Sequence, residues 1–172
     1  MGVHLVKSPL SFSFSKVDDS NRELLQRDYD KAAQTDDDAI SRWLRIAKSK
    51  GETADSDPVV INLLVELHRK IDNLERILNN EKIEKLALAH DEDIESIGYE
   101  HIKLLNSVLE PNTIYYGRVI MPLHPKRDVV IFIEAIDTSL AKISKMHAKD
   151  VHEWSSFLAA QERILIREMK GI

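Results

Sequence analysis

Residues 113–121, TIYYGRVIM, and residues 128–136, DVVIFIEAI, are the two stretches of the chain that decide its fold. Both are runs of β-branched and aromatic residues, and the segment PLHPKR at residues 122–127 separates them. Residues of these types favour strands, whereas prolines mark the connections between strands. We therefore expect two successive strands here.

Further strands are expected on both sides of this pair. Residues 97–105 and 141–146 fit two more short strands. Residues 10–17 alternate Phe12 and Phe14 with serines, which is the period-2 pattern of a half-buried strand. Short successive strands of this kind favour an antiparallel barrel or a sandwich.

The chain ends in an amphipathic helix, expected over residues 149–169. Its apolar face carries Trp154, Phe157 and Leu158, and Gly171 is placed to end it. We expect this helix to close one end of the sheet. The expected fold class is therefore α+β, a small antiparallel barrel with a C-terminal helix.

The stretch between the first strand and the acidic run at residues 90–95 is helical in pattern. Residues 20–50 predict two short helices or one interrupted helix, with a polar break at residues 34–38. Residues 51–58, GETADSDP, contain the turn formers of a linker. One long helix is then expected from Pro58 to about residue 88, because no further glycine or proline interrupts it.

Six apolar residues of this long helix fall at alternating spacings of four and three, which is the a/d seam of a coiled coil. They are Val60, Leu64, Leu67, Ile71, Leu74 and Leu78. Ile61, Leu63 and Ile77 widen the seam, which favours more than two helices, while Lys70 and Glu75 are placed to pair between parallel helices. A wide stripe is also typical of a helix that packs on its own domain, so the pattern alone leaves both arrangements open.

The composition excludes several kinds of site. The 172 residues contain no cysteine, so the chain has no disulfide, thiolate zinc site, iron–sulfur cluster or cysteine nucleophile. No two of the five glycines lie within six residues of each other, so neither G-x-G-x-x-G nor a P-loop can be written. We expect no bound cofactor.

Charge and hydropathy restrict the partners. The net charge of −5 argues against broad nucleic-acid binding, because phosphate neutralisation needs a surplus of lysine and arginine on one surface. Residues 1–10 lack the apolar core of a signal peptide, and no stretch reaches about 18 apolar residues. We therefore expect a cytoplasmic protein that binds neither nucleic acid nor a membrane.

Residues with catalytic or ligand-binding potential are scattered along the chain. The seven histidines show no zinc-site spacing, and no G-x-S-x-G motif is present. The acidic run at residues 90–95 lacks the glycine of a calcium loop and is expected to be a solvated connection. We therefore expect no metal site and no enzymatic activity.

Several segments from residue 95 onward carry a family resemblance. They are the strand Ile97-Gly-Tyr-Glu-His-Ile-Lys-Leu104, the turn Leu109-Glu-Pro-Asn-Thr113, the strand Arg118-Val-Ile-Met-Pro122, and a closing helix with Gln161-Glu-Arg163 and Ile166-Arg-Glu168. This order resembles the PilZ domain of bacteria. Joined to a heptad helix, it is similar to the atypical, tetrameric PilZ proteins, in which long helices assemble the subunits.

The chain departs from the ligand-binding pattern of that family. Members that bind cyclic di-GMP use an R-x-x-x-R loop ahead of the barrel and a D-x-S-x-x-G strand. Ahead of the barrel no two arginines here have that spacing, and Ser96, Gly98 and His101 stand where the strand motif has Asp, Ser and Gly. The loss of the arginines removes bidentate phosphate contacts. The resemblance therefore implies weak or absent binding of cyclic di-GMP in the usual mode.

The resemblance divides the chain into three segments. Residues 1–56 would hold the N-terminal strand and short helices, residues 57–90 the heptad helix that mediates oligomerisation, and residues 91–172 the PilZ-like barrel with its C-terminal helix. The implied function is a non-enzymatic, oligomeric scaffold or adaptor, with a tetramer favoured, in a cyclic di-GMP or motility-related pathway.

Two surfaces of the barrel are candidates for contacts with other molecules. For a protein partner we expect Tyr115, Tyr116 and the loop at residues 121–127, because exposed aromatics and arginines are typical anchors. The alternative function is a cyclic di-GMP receptor with a non-standard site at Arg118, Lys126 and Arg127.

Overall fold

The computed structural model of the chain describes residues 2–34, 39–79, 85–122 and 127–171. The strands are β1 (Val6–Lys16), β2 (His90–Ile97), β3 (His101–Leu104), β4 (Ile114–Met121), β5 (Arg127–Ala135) and β6 (Leu140–Met146). The helices are α1 (Arg22–Gln34), α2 (Ala39–Ser49), α3 (Pro58–Leu78) and α4 (Ala148–Met169). The chain divides into two compact units, Met1–Tyr29 with Ala87–Ile172, and Asp30–Leu86.

The six strands form a closed antiparallel barrel in the order β1-β2-β3-β6-β5-β4. The ladder between β4 and β5 runs without interruption from the pair of Ile114 and Glu134 to the pair of Met121 and Arg127. These are the two stretches whose composition predicted strands. The barrel and the C-terminal helix confirm the α+β class and the small antiparallel barrel.

The barrel interior is filled by alternate side chains of its strands. Phe12 and Phe14 of β1 stack with their ring centroids 5.3 Å apart, and Phe14 meets Tyr115 edge to face at 5.6 Å. Trp154 of α4 is buried, and its indole N–H donates a hydrogen bond to the carbonyl oxygen of Gly98 at 2.9 Å. The apolar face of α4 therefore packs on the barrel core.

β1 begins earlier than expected and belongs to the barrel. The alternation of phenylalanine and serine predicted a strand over residues 10–17, whereas β1 spans Val6–Lys16 and pairs with both β2 and β4. Burial alternates from Val6 to Phe14, but the polar Ser8 occupies one of the buried positions, so the apolar pattern is visible only from Leu10 onward. The expected first segment grouped this strand with the short helices, but the backbone pairing places it between β2 and β4.

The acidic run at residues 90–95 is part of a strand, so the expectation of a solvated connection was wrong. Ile94 and Ile97 of β2 are buried in the core, while Asp91 and Asp93 remain exposed. A register shift after Ile94 breaks the period-2 pattern, so only acidic residues are conspicuous in the sequence.

The expected strand at residues 97–105 is the end of one strand and the whole of another. β2 ends at Ile97 and β3 occupies His101–Leu104. Between them the backbone N–H of Gly98 donates to the carbonyl oxygen of His101 at 2.7 Å, which closes the turn.

The helical half follows the sequence pattern with one correction. Residues 20–50 contain two helices, α1 and α2, and residues 35–38 of the polar break lie outside the described residues. α3 begins after Asp57, whose side chain accepts a hydrogen bond from the backbone N–H of Val59 at 2.9 Å. α3 ends at Leu78 and residues 85–88 are not helical, so the heptad helix does not reach residue 90.

Gly117 in β4 is a point of close approach between two strands. It pairs with Phe14 of β1, and the ring of Phe12 fills the space that a Cβ atom on Gly117 would occupy. Phe12 is itself buried among core side chains, so its ring has no space into which to move. The barrel therefore needs glycine at this position.

Replacing Gly117 by alanine is expected to lower the free energy of unfolding by about 2 kcal/mol, because the new methyl group overpacks the core. Urea denaturation followed by circular dichroism measures the change. Gly2→Ala is the control, since a Cβ atom there meets nothing within 4 Å. Equal stability of the Gly117 variant and the wild-type protein would contradict this account of the core.

Candidate functional site

The seam predicted on α3 is an exposed apolar surface. All six predicted residues are at least half exposed, from 51% for Val60 to 82% for Leu78, and Leu63 and Ile77 are exposed as well. No residue of α3, all of which are described, is buried. A contiguous exposed apolar patch is typical of an interaction site, so the seam is a candidate for one.

The side of α3 that packs on α2 is a different one. Ile61, Val65 and Arg69 are half-buried, and the guanidinium of Arg69 donates to Ser41 Oγ of α2 at 2.8 Å. Ile61 therefore lies with this side and does not widen the exposed seam as expected. These three residues are spaced by four and share one side of the helix. At 100° per residue the seam lies roughly opposite to them, so α2 does not cover it.

The charged residues beside the seam are solvated. His68 and Asp72 approach to 3.4 Å, and both side chains are about half exposed. Such a pair one helical turn apart stabilises a helix by only a few tenths of a kcal/mol. Any binding at this surface would therefore depend on its apolar side chains.

The expected partner surface at Tyr115 and Tyr116 is absent, because both side chains are buried. Tyr115 points into the barrel, and its hydroxyl oxygen accepts the backbone N–H of Glu110 at 2.9 Å. Met121 is also buried, and residues 123–126 of the expected loop lie outside the described residues. Tyr116 lies on the outer face of β4, but Asp28 and Tyr29 of α1 cover that face.

The outer face of β4 holds a polar cluster beneath α1. The Tyr116 hydroxyl donates to Asp28 Oδ2 at 2.5 Å, and the Arg118 guanidinium donates to the same oxygen at 3.3 Å. Burial, reinforced by the hydrogen bond to the Asp28 carboxylate, raises the pKa of Tyr116. The phenol therefore stays protonated and remains a donor to Asp28.

An aromatic stack lies beside this cluster. The rings of Tyr29 in α1 and His147 are 3.8 Å apart and nearly parallel, and His147 Nε2 donates to the Tyr29 carbonyl oxygen at 2.7 Å. Lys145 Nζ lies 4.8 Å from the centre of the Tyr29 ring and donates to Gln26 Oε1 at 3.1 Å. Together with the polar cluster, these contacts fix the start of α1 to the barrel.

Of the three side chains of the alternative ligand site, the structure describes only that of Arg118. Arg118 is bonded to Asp28, and its side chain is only 14% exposed. Lys126 and the side chain of Arg127 lie outside what the structure describes. What the structure places at Arg118 is a structural ion pair.

Ser96, Gly98 and His101 all lie at the turn between β2 and β3. Ser96 pairs with Lys103, and His101 pairs with Lys142 of β6. A Cβ atom on Gly98 would lie 2.5 Å from the carbonyl oxygen of His4. Gly98 is therefore required by the close approach of the N-terminal backbone, in addition to accepting the Trp154 hydrogen bond.

Sequence reasoning missed a groove between β1 and β2. It has a volume of about 410 Å³ and lies beside the register shift of β1. Lys7, Leu10, Asp93 and Leu105 are among its lining residues, so it presents both charges and apolar surface. The groove could not be predicted from the sequence, because the prediction did not include β2, which forms one of its walls.

Two further observations concern the described residues only. They contain no group of three or more histidine, aspartate or glutamate side chains that could hold a metal ion. None of their helices combines the length and the apolar character needed to cross a membrane.

Replacing Tyr116 by phenylalanine is expected to lower the free energy of unfolding by about 2 kcal/mol, because Asp28 loses a charge-assisted hydrogen bond in a buried setting. Thermal and urea denaturation measure the loss. In the control Tyr99→Phe an exposed tyrosine is changed, and the effect should stay within about 0.5 kcal/mol. Similar losses in both variants would mean that the Asp28 contact contributes nothing specific.

Comparison of the chain with protein-family models, with curated proteins and with solved structures found no match.

Proposed function

We propose that this protein is a non-enzymatic, PilZ-like signalling scaffold that self-associates through the seam of α3. The observation that carries the proposal is the row of exposed leucine, isoleucine and valine side chains on a helix that already packs on α2 by its opposite side. A monomer in water would leave this row hydrated, whereas a second copy offers a matching surface.

The energy available from the seam is large enough to hold subunits together. Burying a fully exposed leucine or isoleucine contributes about 1.5–3 kcal/mol, so a half-exposed one contributes about 1 kcal/mol. The six seam residues with Leu63 and Ile77 therefore offer about 8 kcal/mol per chain. Part of this is offset by the entropy lost on association.

The width of the stripe supports an assembly of more than two chains. Leu63 and Ile77 extend the exposed surface beyond the a and d positions, so one partner helix would leave them partly hydrated. A tetramer covers the wide stripe and agrees with the resemblance to atypical, tetrameric PilZ proteins. The assembled protein would then signal through protein contacts, in a cyclic di-GMP or motility-related pathway in the cytoplasm.

Two observations support weak or absent binding of cyclic di-GMP. The positions that align with the ligand strand serve the turn between β2 and β3, where Gly98 contacts the N-terminal backbone and Trp154. Arg118, the described member of the alternative site, is bonded to Asp28. Among the described side chains of these two regions there is no pair of arginines that could hold a dianionic ligand in the family's usual way.

The double substitution Leu67→Asp and Leu74→Asp is expected to reduce the molar mass measured by light scattering to that of one chain, because carboxylates at d positions are costly to bury. A matched control is Asn62→Asp with Asn73→Asp, which adds the same charge to α3 outside the a and d positions. The proposal fails if the seam variant keeps the mass of the wild-type protein, or if the wild-type protein is itself a monomer.

Isothermal titration of the full chain with cyclic di-GMP is expected to show no binding at micromolar concentrations. Arg118→Ala should leave this result unchanged, since the arginine is engaged with Asp28. Sub-micromolar binding that is lost in a Ser96, His101 or Arg118 variant would establish the receptor function instead.

A further inference from the structure

α2, which belongs to the same unit as α3, carries exposed apolar and basic residues of the types that bind protein partners. Trp43 and Ile46 are 60% and 55% exposed. On another side of α2, Leu44 is half-buried and Ala47 is buried. Trp43 and Ile46 are therefore not the residues by which α2 packs on its neighbours.

Two cations lie on the same face of α2 as this apolar pair. With 3.6 residues per turn, Arg42, Trp43, Ile46 and Lys50 lie within about 100° of one another, and all four are exposed. Lys50 continues the helical turn, since its backbone N–H donates to the carbonyl oxygen of Ile46 at 3.1 Å. We call these four residues the Trp43 face.

The Trp43 face is separate from the seam of α3. The seam lies on the side of α3 opposite to α2, whereas the Trp43 face belongs to α2 itself. Self-association through the seam would therefore use a different helix from the one that carries the Trp43 face.

The charge of α2 indicates what this face would bind. From Ala39 to Lys50 the charged residues are Arg42, Arg45, Lys48 and Lys50, whereas the acidic residues nearest in sequence are aspartates 36–38 before α2 and Glu52 after it. Tryptophan and arginine are also the residue types that dominate binding energy at protein interfaces. A local cationic surface with an apolar centre complements an acidic segment that carries an apolar side chain.

We propose that the Trp43 face docks an acidic segment of a partner protein. An apolar side chain of that segment packs on Trp43 and Ile46, while its carboxylates pair with Arg42 and Lys50. The proposal rests on the adaptor function proposed above, and it supplies the partner surface that the buried Tyr115 and Tyr116 do not.

Basic amphipathic helices also occur on anionic membranes, but the present helix fits that role poorly. Membrane-surface helices bury a continuous apolar face among the lipid headgroups. α2 has only 11 residues, and its other apolar side, with Leu44 and Ala47, is occupied by packing. Two large apolar side chains beside two cations suit a local protein contact better.

The test begins with a photo-crosslinking amino acid at position 46 of the full chain in its native cells. The adduct is digested, and its peptide is identified by mass spectrometry. A synthetic peptide of the captured segment is then titrated into the full chain while tryptophan emission is recorded. We expect an acidic peptide that shifts the emission of Trp43 to shorter wavelength, with no such shift in Trp43→Phe, which retains only the buried Trp154.

Matched charge reversals test the role of the face. Arg42→Glu is expected to weaken peptide binding at least tenfold, whereas Lys48→Glu is expected to change it less than twofold. Lys48 is an exposed cation of the same helix, but five residues from Trp43 it lies about 140° around the axis. Equal effects of the two reversals would overturn the proposal.

Other outcomes of the crosslinking also overturn it. The first is an adduct with a second copy of this chain. The second is an adduct with nucleic acid or lipid, together with pelleting of the protein on phosphatidylglycerol vesicles. The third is that position 46 gives no adduct beyond that formed by the same amino acid at position 48. The scaffold proposal is read separately, because it depends on the mass of the Leu67→Asp, Leu74→Asp variant. If the wild-type chain is a monomer but still captures an acidic peptide, self-association through the seam is refuted and docking on the Trp43 face is not.

Discussion

The structure depends on the pairing of β1 with two strands that follow it much later in the chain. β1 lies between β2 and β4, and the barrel is closed only because both ladders form. The closest point of this arrangement is the contact between Phe12 and Gly117, where an aromatic ring takes the place of a side chain. Barrel closure, core packing and the position of the N-terminus all follow from these long-range contacts.

The second constraint is that the outer face of β4 and β5 is not a solvent face. Tyr116 and Phe132 point away from the barrel core and are nevertheless buried, with ring centroids 5.0 Å apart. α1 covers them through Tyr29, and Asp28 satisfies the Tyr116 hydroxyl and Arg118. Polar groups that would have been candidates for ligand contacts are thus used to attach a helix.

The fold could be predicted where local pattern and burial agree. β4, β5 and β6, as well as α4, lie within one or two residues of the predicted bounds, because their apolar residues are dense and because Pro111, Pro122 and Gly171 mark some of their ends. β2 was not predicted, because its two buried isoleucines do not follow a period of two across the register shift and stand among acidic residues. Its detection needed knowledge of the strands beside it.

The candidate sites were predictable to different degrees. The seam of α3 could be predicted from the spacing of apolar residues within one helix, and its side chains are exposed. The burial of Tyr116 could not be read from β4, because a helix from another part of the chain causes it. A partial signal was present in Leu25 and Tyr29, a buried apolar pair one turn apart on α1, but nothing local identifies the surface that such a pair covers.

The neighbouring positions of β1 and β2 have a consequence for how this chain can vary. The helical unit, Asp30–Leu86, is inserted between two adjacent antiparallel strands, so the barrel ladders do not run through it. The entropy of closing such a connection grows only with the logarithm of its length, about 0.6 kcal/mol for each doubling. Helices in this insertion can therefore be lengthened, shortened or exchanged at little cost to the barrel, so the exposed seam of α3 is free to change while the barrel stays the same.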